Sequence, residues 1–128
     1  MLTIRSTEIT LEKASEAALE AAFDKKARDV VVLDLEGICT FSDRFILCTG
    51  TSIRQTQSIA DHIDEKLREL GARAAHVEGY GEGEWILMDY LDFVVHIFTE
   101  RAREFYDLER LWRAGTRREV HEPAGHRA

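Results

Sequence analysis

The run Val30–Leu35 constrains the fold more than any other part of this 128-residue chain. It begins with three valines and is apolar at nearly every position, which is the pattern of a β-strand that is buried on both faces. A strand of this kind lies inside a sheet rather than at its edge. The run therefore predicts a central strand with other elements packed on both sides of it.

The segments around this strand alternate between helical and strand patterns. The spacing of apolar residues predicts an amphipathic helix over residues 11–27. A second helix follows Ser52, which forms a capping box with Gln55, and Gly71 is placed to end this helix in the left-handed region. Further strands are predicted over residues 45–49, 74–77, 85–88 and 93–98, and a last helix over residues 99–114. This order predicts an α/β fold with a mixed β-sheet flanked by helices.

Composition predicts the domain organisation and the compartment. At 45% hydrophobic residues the chain can bury a true core, so we expect one domain over residues 1–115. Residues 116–128 carry almost no apolar side chains and are predicted to be a disordered C-terminal tail. The first residues show no signal-peptide pattern. The apolar runs are far shorter than the roughly 20 residues of a membrane span. Cys39 and Cys48 are the only two cysteines, and we expect both to be reduced thiols. We therefore expect a cytoplasmic protein without a membrane partner.

The charge balance favours a basic protein as the partner. The chain has 17 Lys and Arg against 24 Asp and Glu, which gives a formal net charge of -7. Binding through a phosphate backbone draws on clustered Lys and Arg, so little direct contact with RNA is expected. An RNA-binding module stays open as a third interpretation if Arg54, Arg101, Arg103 and Arg110 cluster on one surface.

The turn Gly50-Thr51-Ser52 is the main candidate for chemistry. It follows a predicted strand and opens a helix, where free N–H groups and the helix dipole can bind a phosphate, so a small nucleotidyl- or phosphotransferase is the alternative function. The turn lacks the lysine of a P-loop, and no Asp-x-Asp pair follows it on a strand to hold two metal ions. The five histidines have no zinc-ligand spacing. We therefore predict a plain turn and helix cap here, with no enzymatic activity, no metal and no cofactor.

Residues 83–112 predict an interaction surface, because they combine large aromatic residues with acids. Trp85, Tyr106 and Trp112 are of the type that dominates binding hot spots. The negative charge beside them comes from Asp89, Asp92, Glu104, Asp107 and Glu109. His96 lies in an apolar strand, where a hydrogen-bonded, half-buried histidine is favoured over a general base.

Four segments of the chain carry a family resemblance. They are DVVVLDL, SDRFILCTGTSIRQTQSIADHI, VEGYGEGEWILMDYLDFVVHIF and REFYDLERLW. In this order and spacing, over residues 11–114, they resemble the ribosomal silencing factors, the RsfS or Iojap family. The resemblance implies a fold related to nucleotidyltransferases that lacks their catalytic carboxylates. It also implies a non-enzymatic protein that attaches to large-subunit ribosomal protein fourteen and blocks joining of the small subunit when nutrients are limited.

The resemblance further implies which residues form or support the docking surface. The expected docking residues are Trp85, Asp89, Asp92, His96, Arg103, Tyr106, Glu109 and Trp112. The expected supporting residues are Asp43, Gly50, Ser52 and Gln55. The chain departs from the family pattern at Leu91, where a glycine is usual in the turn, and at Arg44, where an aromatic residue is usual. A homodimer of the free protein stays open.

Overall fold

Residues 10–126 are described by the computed structural model of the chain, and within this range six β-strands form one mixed sheet. The elements are α1 Leu11–Asp24, β1 Arg28–Asp34, β2 Arg44–Gly50, α2 Ile53–Glu69, β3 His76–Glu78, β4 Trp85–Asp89, β5 Phe93–Thr99, α3 Glu100–Tyr106, α4 Leu108–Leu111 and β6 Thr116–Glu119. The strand order is β3-β4-β5-β2-β1-β6, in which β2 and β5 are parallel and the other neighbours are antiparallel. The predicted α/β fold with a mixed sheet flanked by helices is confirmed.

The sheet separates two apolar cores. The first core lies under α1 and α2 and receives Val30 and Val32 from β1, together with Ile59 and Ile63 from α2. The second core lies under α3 and α4 and receives Val31, Leu33, Phe45, Leu47, Val94 and Phe98 from the strands, with Ala102 and Leu108 from the helices. Because successive residues of a strand point to opposite faces, the valines of β1 pack alternately in the first and the second core. The predicted burial of this strand on both faces is confirmed.

The second helix has the predicted boundaries, with one difference in its cap. The hydroxyl of Ser52 accepts a hydrogen bond from the Gln55 N–H at 3.1 Å, and Gly71 adopts a φ of 91° after the helix. The Gln55 side chain does not return to Ser52, since its Oε1 accepts from the N–H of Thr51. Among residues 10–126 no helix, α2 with its 17 residues included, is both long and apolar enough to cross a bilayer.

The predicted last helix over residues 99–114 is wrong in one respect, because the structure divides it into two. Asp107 adopts a left-handed conformation with a φ of 48° between α3 and α4, a conformation that Asp tolerates better than most residues. The break turns the chain so that Leu108 is buried in the second core and Trp112 packs against Phe45.

The prediction that the tail from residue 116 onward is disordered is wrong. Thr116–Glu119 form β6, which pairs with β1 over four residue pairs and covers its edge. All four side chains are exposed, since strand pairing uses backbone hydrogen bonds and does not require apolar side chains. Composition alone therefore gives no signal for this strand. The central position predicted for β1 is due to β6, because β1 lies second from the edge of the sheet.

The segment after β6 is held against α1 and α2 by a carboxylate between two histidines. Asp24 Oδ1 lies 2.8 Å from Nε2 of His126, and Asp24 Oδ2 lies 2.9 Å from Nε2 of His62. The His126 side chain is buried, and its ring packs edge-on against Phe23. Burial raises the pKa of Asp24, but the two histidines lower it more, so the pKa lies below its ordinary value. The carboxylate is therefore ionised at neutral pH and anchors the C-terminal segment.

Removal of residues 116–128 should therefore destabilise the protein. The truncation exposes the edge of β1 and removes the His126 contact. We expect a loss of about 2 kcal/mol or more in the free energy of unfolding, which corresponds to a melting temperature roughly 6–10 °C lower. Thermal and chemical denaturation measure the change. A chain that ends at His126 is the control, and equal stability of the two chains would contradict the structural role of β6.

Candidate functional site

An arc of aromatic rings crosses the face of the sheet that α3 and α4 cover only in part. Neighbouring rings have centroids 4.6 to 6.3 Å apart. In spatial order the rings belong to Phe41, Trp112, Phe45, His96, Trp85, Tyr106 and Phe105. We call this set the aromatic arc. It combines residues of the β1–β2 loop, of three strands and of α3 with Trp112 at the end of α4, so the fold brings together side chains that are up to 71 positions apart in the sequence.

The two ends of the aromatic arc are exposed. The exposed fractions are 64% for Phe41, 50% for Tyr106 and 77% for Phe105. Leu111 on α4 is 72% exposed. An open groove of about 800 Å³ beside α3 and α4 is lined by Phe105, Tyr106 and Leu111 together with Ala114 and the charged residues Glu104, Asp107, Arg110 and Arg113. Large apolar side chains that gather on one surface usually mark a contact with another molecule. The arc is therefore the best candidate for a docking surface.

Trp85 and His96 form one hydrogen-bonded unit in the middle of the arc. The indole Nε1–H of Trp85 donates to Nδ1 of His96 at 3.0 Å, so the histidine carries its proton on Nε2. That Nε2 is buried and has no hydrogen-bond partner among the described residues. Burial lowers the pKa of His96 to about 3, so the ring is neutral. The predicted hydrogen bond is present, but the side chain is fully buried rather than half-buried.

The expected docking role of His96 is therefore corrected to support. At 3% exposure its ring cannot reach a partner from this position. Its function in the arc is to orient Trp85, which is partly buried and also packs against Phe98 and Tyr106. Of these residues, Tyr106 offers the most accessible ring to a partner.

Arg103 and Glu109, also expected in the docking surface, form an internal ion pair instead. Nε and Nη2 of Arg103 donate to the two carboxylate oxygens of Glu109 at 3.0 and 3.2 Å, and its Nη1 donates to Thr49 Oγ1 and to the carbonyl oxygen of Asp29. Burial raises the pKa of Glu109, but Arg103 and Arg117 lower it more, and the pKa lies below its ordinary value. With side chains 12% and 21% exposed, this pair supports the surface from below.

The expected acidic residues lie at one end of the sheet. Trp85, Leu87 and Asp89 alternate along β4 and share the face that carries the arc. In the following turn Asp89 Oδ1 accepts from the N–H of Leu91 at 2.8 Å. The exposed Asp92 accepts, through its carbonyl oxygen, a 3.2 Å hydrogen bond from the N–H of Asp43, which leads into β2. These three aspartates therefore lie at the end of the sheet where β4 ends and where β2 and β5 begin.

Leu91 shows how the chain forms this turn without the glycine that is usual in the family. The residue adopts a φ of 73°, in the left-handed region that favours glycine, and its side chain is exposed. The hydrogen bond from its N–H to Asp89 holds the turn in that conformation. The turn is therefore retained at a cost in backbone strain.

The supporting residues at the start of α2 form a helix cap. A Cβ atom on Gly50 would lie 3.0 Å from Thr56 Cγ2 and 3.2 Å from the Thr56 nitrogen, so glycine favours this close approach of strand and helix. The N–H groups of Thr51, Gln55 and Thr56 are bound by the Gln55 side chain, the Ser52 side chain and the Ser52 carbonyl. Within residues 10–126 no group of three His, Cys, Asp or Glu side chains is arranged to hold a metal ion.

Sequence reasoning missed Phe41, Phe105 and Leu111 as surface residues. Phe41 lies in a polar loop, outside any periodic pattern, and so was not assigned to a face. Phe105 precedes Tyr106 in a helix, where adjacent residues point about 100° apart and cannot share one narrow apolar stripe. That adjacency is a signal in the sequence that one of the two rings faces solvent.

The buried neutral His96 should make stability depend on pH. The unfolded chain binds a proton at this residue below about pH 6.5, whereas the folded protein binds it only near pH 3. The unfolded state therefore gains the proton first, and stability falls by about 2 kcal/mol from this residue between pH 7 and pH 5. His96→Asn, whose Oδ1 can accept the Trp85 hydrogen bond, should lack this part of the loss. Urea unfolding at both pH values measures it, and equal losses in the two proteins would refute the assignment.

The sequence of this chain is similar to the sequences of known proteins. The sequence model of one family, described as "Ribosomal silencing factor during starvation", matches residues 8–128. The chain is 42% identical over 95 residues to "Ribosomal silencing factor RsfS" of Bacillus subtilis (strain 168), which covers 74% of the chain and 80% of that protein. It is 28% identical over 91 residues to "Mitochondrial assembly of ribosomal large subunit protein 1" of Mus musculus, which covers 69% of the chain and 40% of that protein.

A solved structure agrees with these sequence matches. A crystal structure of a Chromobacterium violaceum protein superposes with a TM-score of 0.80 and is 34% identical, covering 91% of this chain and 97% of that one. The family match spans almost the whole chain, and several silencing factors are more than 35% identical to it. The chain therefore belongs to the family of ribosomal silencing factors.

Proposed function

We propose that this protein binds the large ribosomal subunit through the aromatic arc and prevents the small subunit from joining. The observation that carries the proposal is an exposed aromatic surface, bordered by aspartates, in a member of the ribosomal silencing factor family. Occupation of the face where the subunits meet represses translation by steric exclusion, without any catalysed reaction. The protein acts in this way in the cytoplasm when nutrients are limited.

The proposed contact on the large subunit is ribosomal protein fourteen. Ribosomal proteins that lie on RNA are generally basic, and the net charge of -7 on this chain favours association with a basic surface. The mouse relative is named for assembly of the mitochondrial ribosomal large subunit, which supports the large subunit as the partner. Asp89 and Asp92 supply charge at the border of the arc, while the exposed rings supply the apolar contact.

Within the surface we assign different roles to the expected residues. Tyr106 and Trp85 are the central contacts, and Phe41 and Phe105 extend the surface at its two ends. Trp112 is partly buried against Phe45 and contributes one edge of its ring. The remaining expected residues support these contacts from below or from the sides; they are His96, Arg103, Glu109, Asp43, Gly50, Ser52 and Gln55.

Direct binding to RNA has less support. Of the four arginines considered for it, Arg54 lies on α2, which packs on one face of the sheet, whereas the other three lie on α3 and α4, which pack on the opposite face. Arg103 is bound to Glu109, Thr49 and the Asp29 carbonyl.

For the free protein we include a homodimer in the proposal, since a second copy would cover the same apolar residues until the ribosome replaces it. Sedimentation of the free protein measures this association.

The first test is cosedimentation with separated ribosomal subunits. The protein should sediment with the large subunit and not with the small one, and it should lower the yield of joined ribosomes when both subunits are mixed. The reason is that the bound protein occupies the joining face of the large subunit, and its volume excludes the small subunit. Equal binding to both subunits, or an unchanged yield of joined ribosomes, would overturn the proposal.

The second test compares two exposed tyrosines on different faces of the sheet. Tyr106→Ala should weaken large-subunit binding by about thirtyfold or more, the size of a hot-spot loss of about 2 kcal/mol, with little change in melting temperature. Tyr80, which is 40% exposed and donates a hydrogen bond to Asp61 of α2, is the matched control. Tyr80→Ala should bind normally. The same affinity for the two variants would remove Tyr106 from the contact surface.

A further inference from the structure

The short helix α4 depends on contacts outside itself. It spans only Leu108–Leu111, and a single turn of helix is not stable in water without tertiary contacts. Its cap at Asp107 makes no side-chain hydrogen bond. The position of this turn is therefore set by what its side chains contact, which are the core at Leu108 and an ion-pair network at Glu109.

Two guanidinium groups bind the Glu109 carboxylate. Arg103 reaches it from α3, as described above, and Arg117 reaches it from β6 with Nε and Nη2 each 3.1 Å from Glu109 Oε2. Nη1 of Arg117 also donates to Glu119 on the same strand at 3.2 Å, which orients the guanidinium toward α4. The C-terminal strand, whose four side chains are exposed, thus contacts α4 through the Arg117–Glu109 ion pair.

The chain between α4 and β6 has little freedom to absorb a movement of either. The N–H of Gly115 donates to the carbonyl of Trp112 at 3.0 Å. A Cβ atom on Gly115 would lie 2.5 Å from Leu35 Cδ2 and 2.7 Å from the carbonyl oxygen of Asp34, so the backbone runs tightly against the end of β1. Displacement of β6 would therefore move Trp112, whose ring meets both Phe41 and Phe45 in the arc.

We propose that Arg117 is a positioning residue for the docking surface, and that β6 holds α4 and Trp112 in place through the Arg117–Glu109 ion pair. The consequence for ribosome binding rests on the proposed function, whereas the mechanical coupling of β6 to α4 is a property of the free protein. Arg103 of α3 donates to both oxygens of the Glu109 carboxylate, and Arg117 adds contacts to Oε2 that link the carboxylate to β6. Loss of Arg117 removes the link to β6, leaves Glu109 bound to α3 alone and allows the single turn of α4 to open.

The test uses two arginines that are neighbours on β6. Arg117→Ala removes the contact with Glu109, and Arg118→Ala removes the same charge from the next residue, whose side chain makes no hydrogen bond or ion pair with the part of the chain that the structure describes. Hydrogen exchange of the free protein reports on the Trp112 N–H, which donates to Leu108. Arg117→Ala should accelerate this exchange by about tenfold, and Arg118→Ala should leave it unchanged.

Binding to the large subunit is the second measurement. Arg117→Ala should weaken it by about three- to tenfold, Arg117→Lys should restore most of the affinity by keeping a charge beside Glu109, and Arg118→Ala should bind as the wild type. In a Glu109→Gln background Arg117→Ala should have no further effect, because the two residues act through one contact. A residue that only stabilised the fold would lower the melting temperature without this dependence on Glu109.

The outcomes separate the inference from the proposed function. If the wild type does not bind the large subunit, the proposed function fails, and hydrogen exchange at Trp112 alone decides the coupling. If the wild type binds and Arg117→Ala binds equally well, Arg117 does not position the surface. Equal exchange at Trp112 in the Arg117→Ala and Arg118→Ala proteins would overturn the coupling itself.

Discussion

The parallel pairing of β2 with β5 is the constraint on which the rest of the structure depends. The register places Phe45 beside Val94 and Leu47 beside His96, so the odd residues of β2 and the even residues of β5 share one face. β4 then pairs with β5 so that Leu87 lies opposite His96 and Trp85 lies opposite Phe98. A shift of one residue in either pairing would turn these rings to the side of α1 and α2. The strand register therefore places the three central rings of the aromatic arc, Phe45, His96 and Trp85, on one face.

The same alternation explains why Arg44, where the family usually has an aromatic residue, leaves the arc unchanged. Arg44 is an even residue of β2 and points toward α1, where its guanidinium lies 2.9 Å from Glu12 and 3.1 Å from Ser15 Oγ. Its side chain is 11% exposed, and the ion pair with Glu12 ties the start of α1 to the sheet. An aromatic ring would fill this site by packing, whereas the arginine fills it with hydrogen bonds. The departure therefore alters the support of α1 and not the docking surface.

Sequence reasoning predicted the elements better than it predicted the roles of side chains. Residues with a periodic or capping signal, such as the valines of β1 and the Ser52 cap, lie where they were expected. The strand β6 was not predicted because it pairs with the edge of β1 through backbone hydrogen bonds, and no side-chain pattern indicates that pairing. Arg103 was expected to contact a partner because it lies in the segment REFYDLERLW, which carries the family resemblance. Its burial requires Thr49 and the carbonyl of Asp29, 54 and 74 positions away, and no local pattern reveals such partners.

At the centre of the arc the buried Nε2 of His96 lowers the stability of the fold, whereas the hydrogen bond to its Nδ1 fixes the orientation of Trp85. A buried N–H without a partner costs about 1–3 kcal/mol, and Nε2 of His96 is such a group among the described residues. An apolar side chain at this position would avoid the cost but would leave the indole N–H of Trp85 without its acceptor. The indole would then lose the hydrogen bond that orients it, and its contact with Tyr106 would fix the accessible ring less firmly. Costs of this kind are retained where function requires a fixed surface, and here the histidine fixes the tryptophan, which in turn fixes the tyrosine that we expect the ribosome to contact.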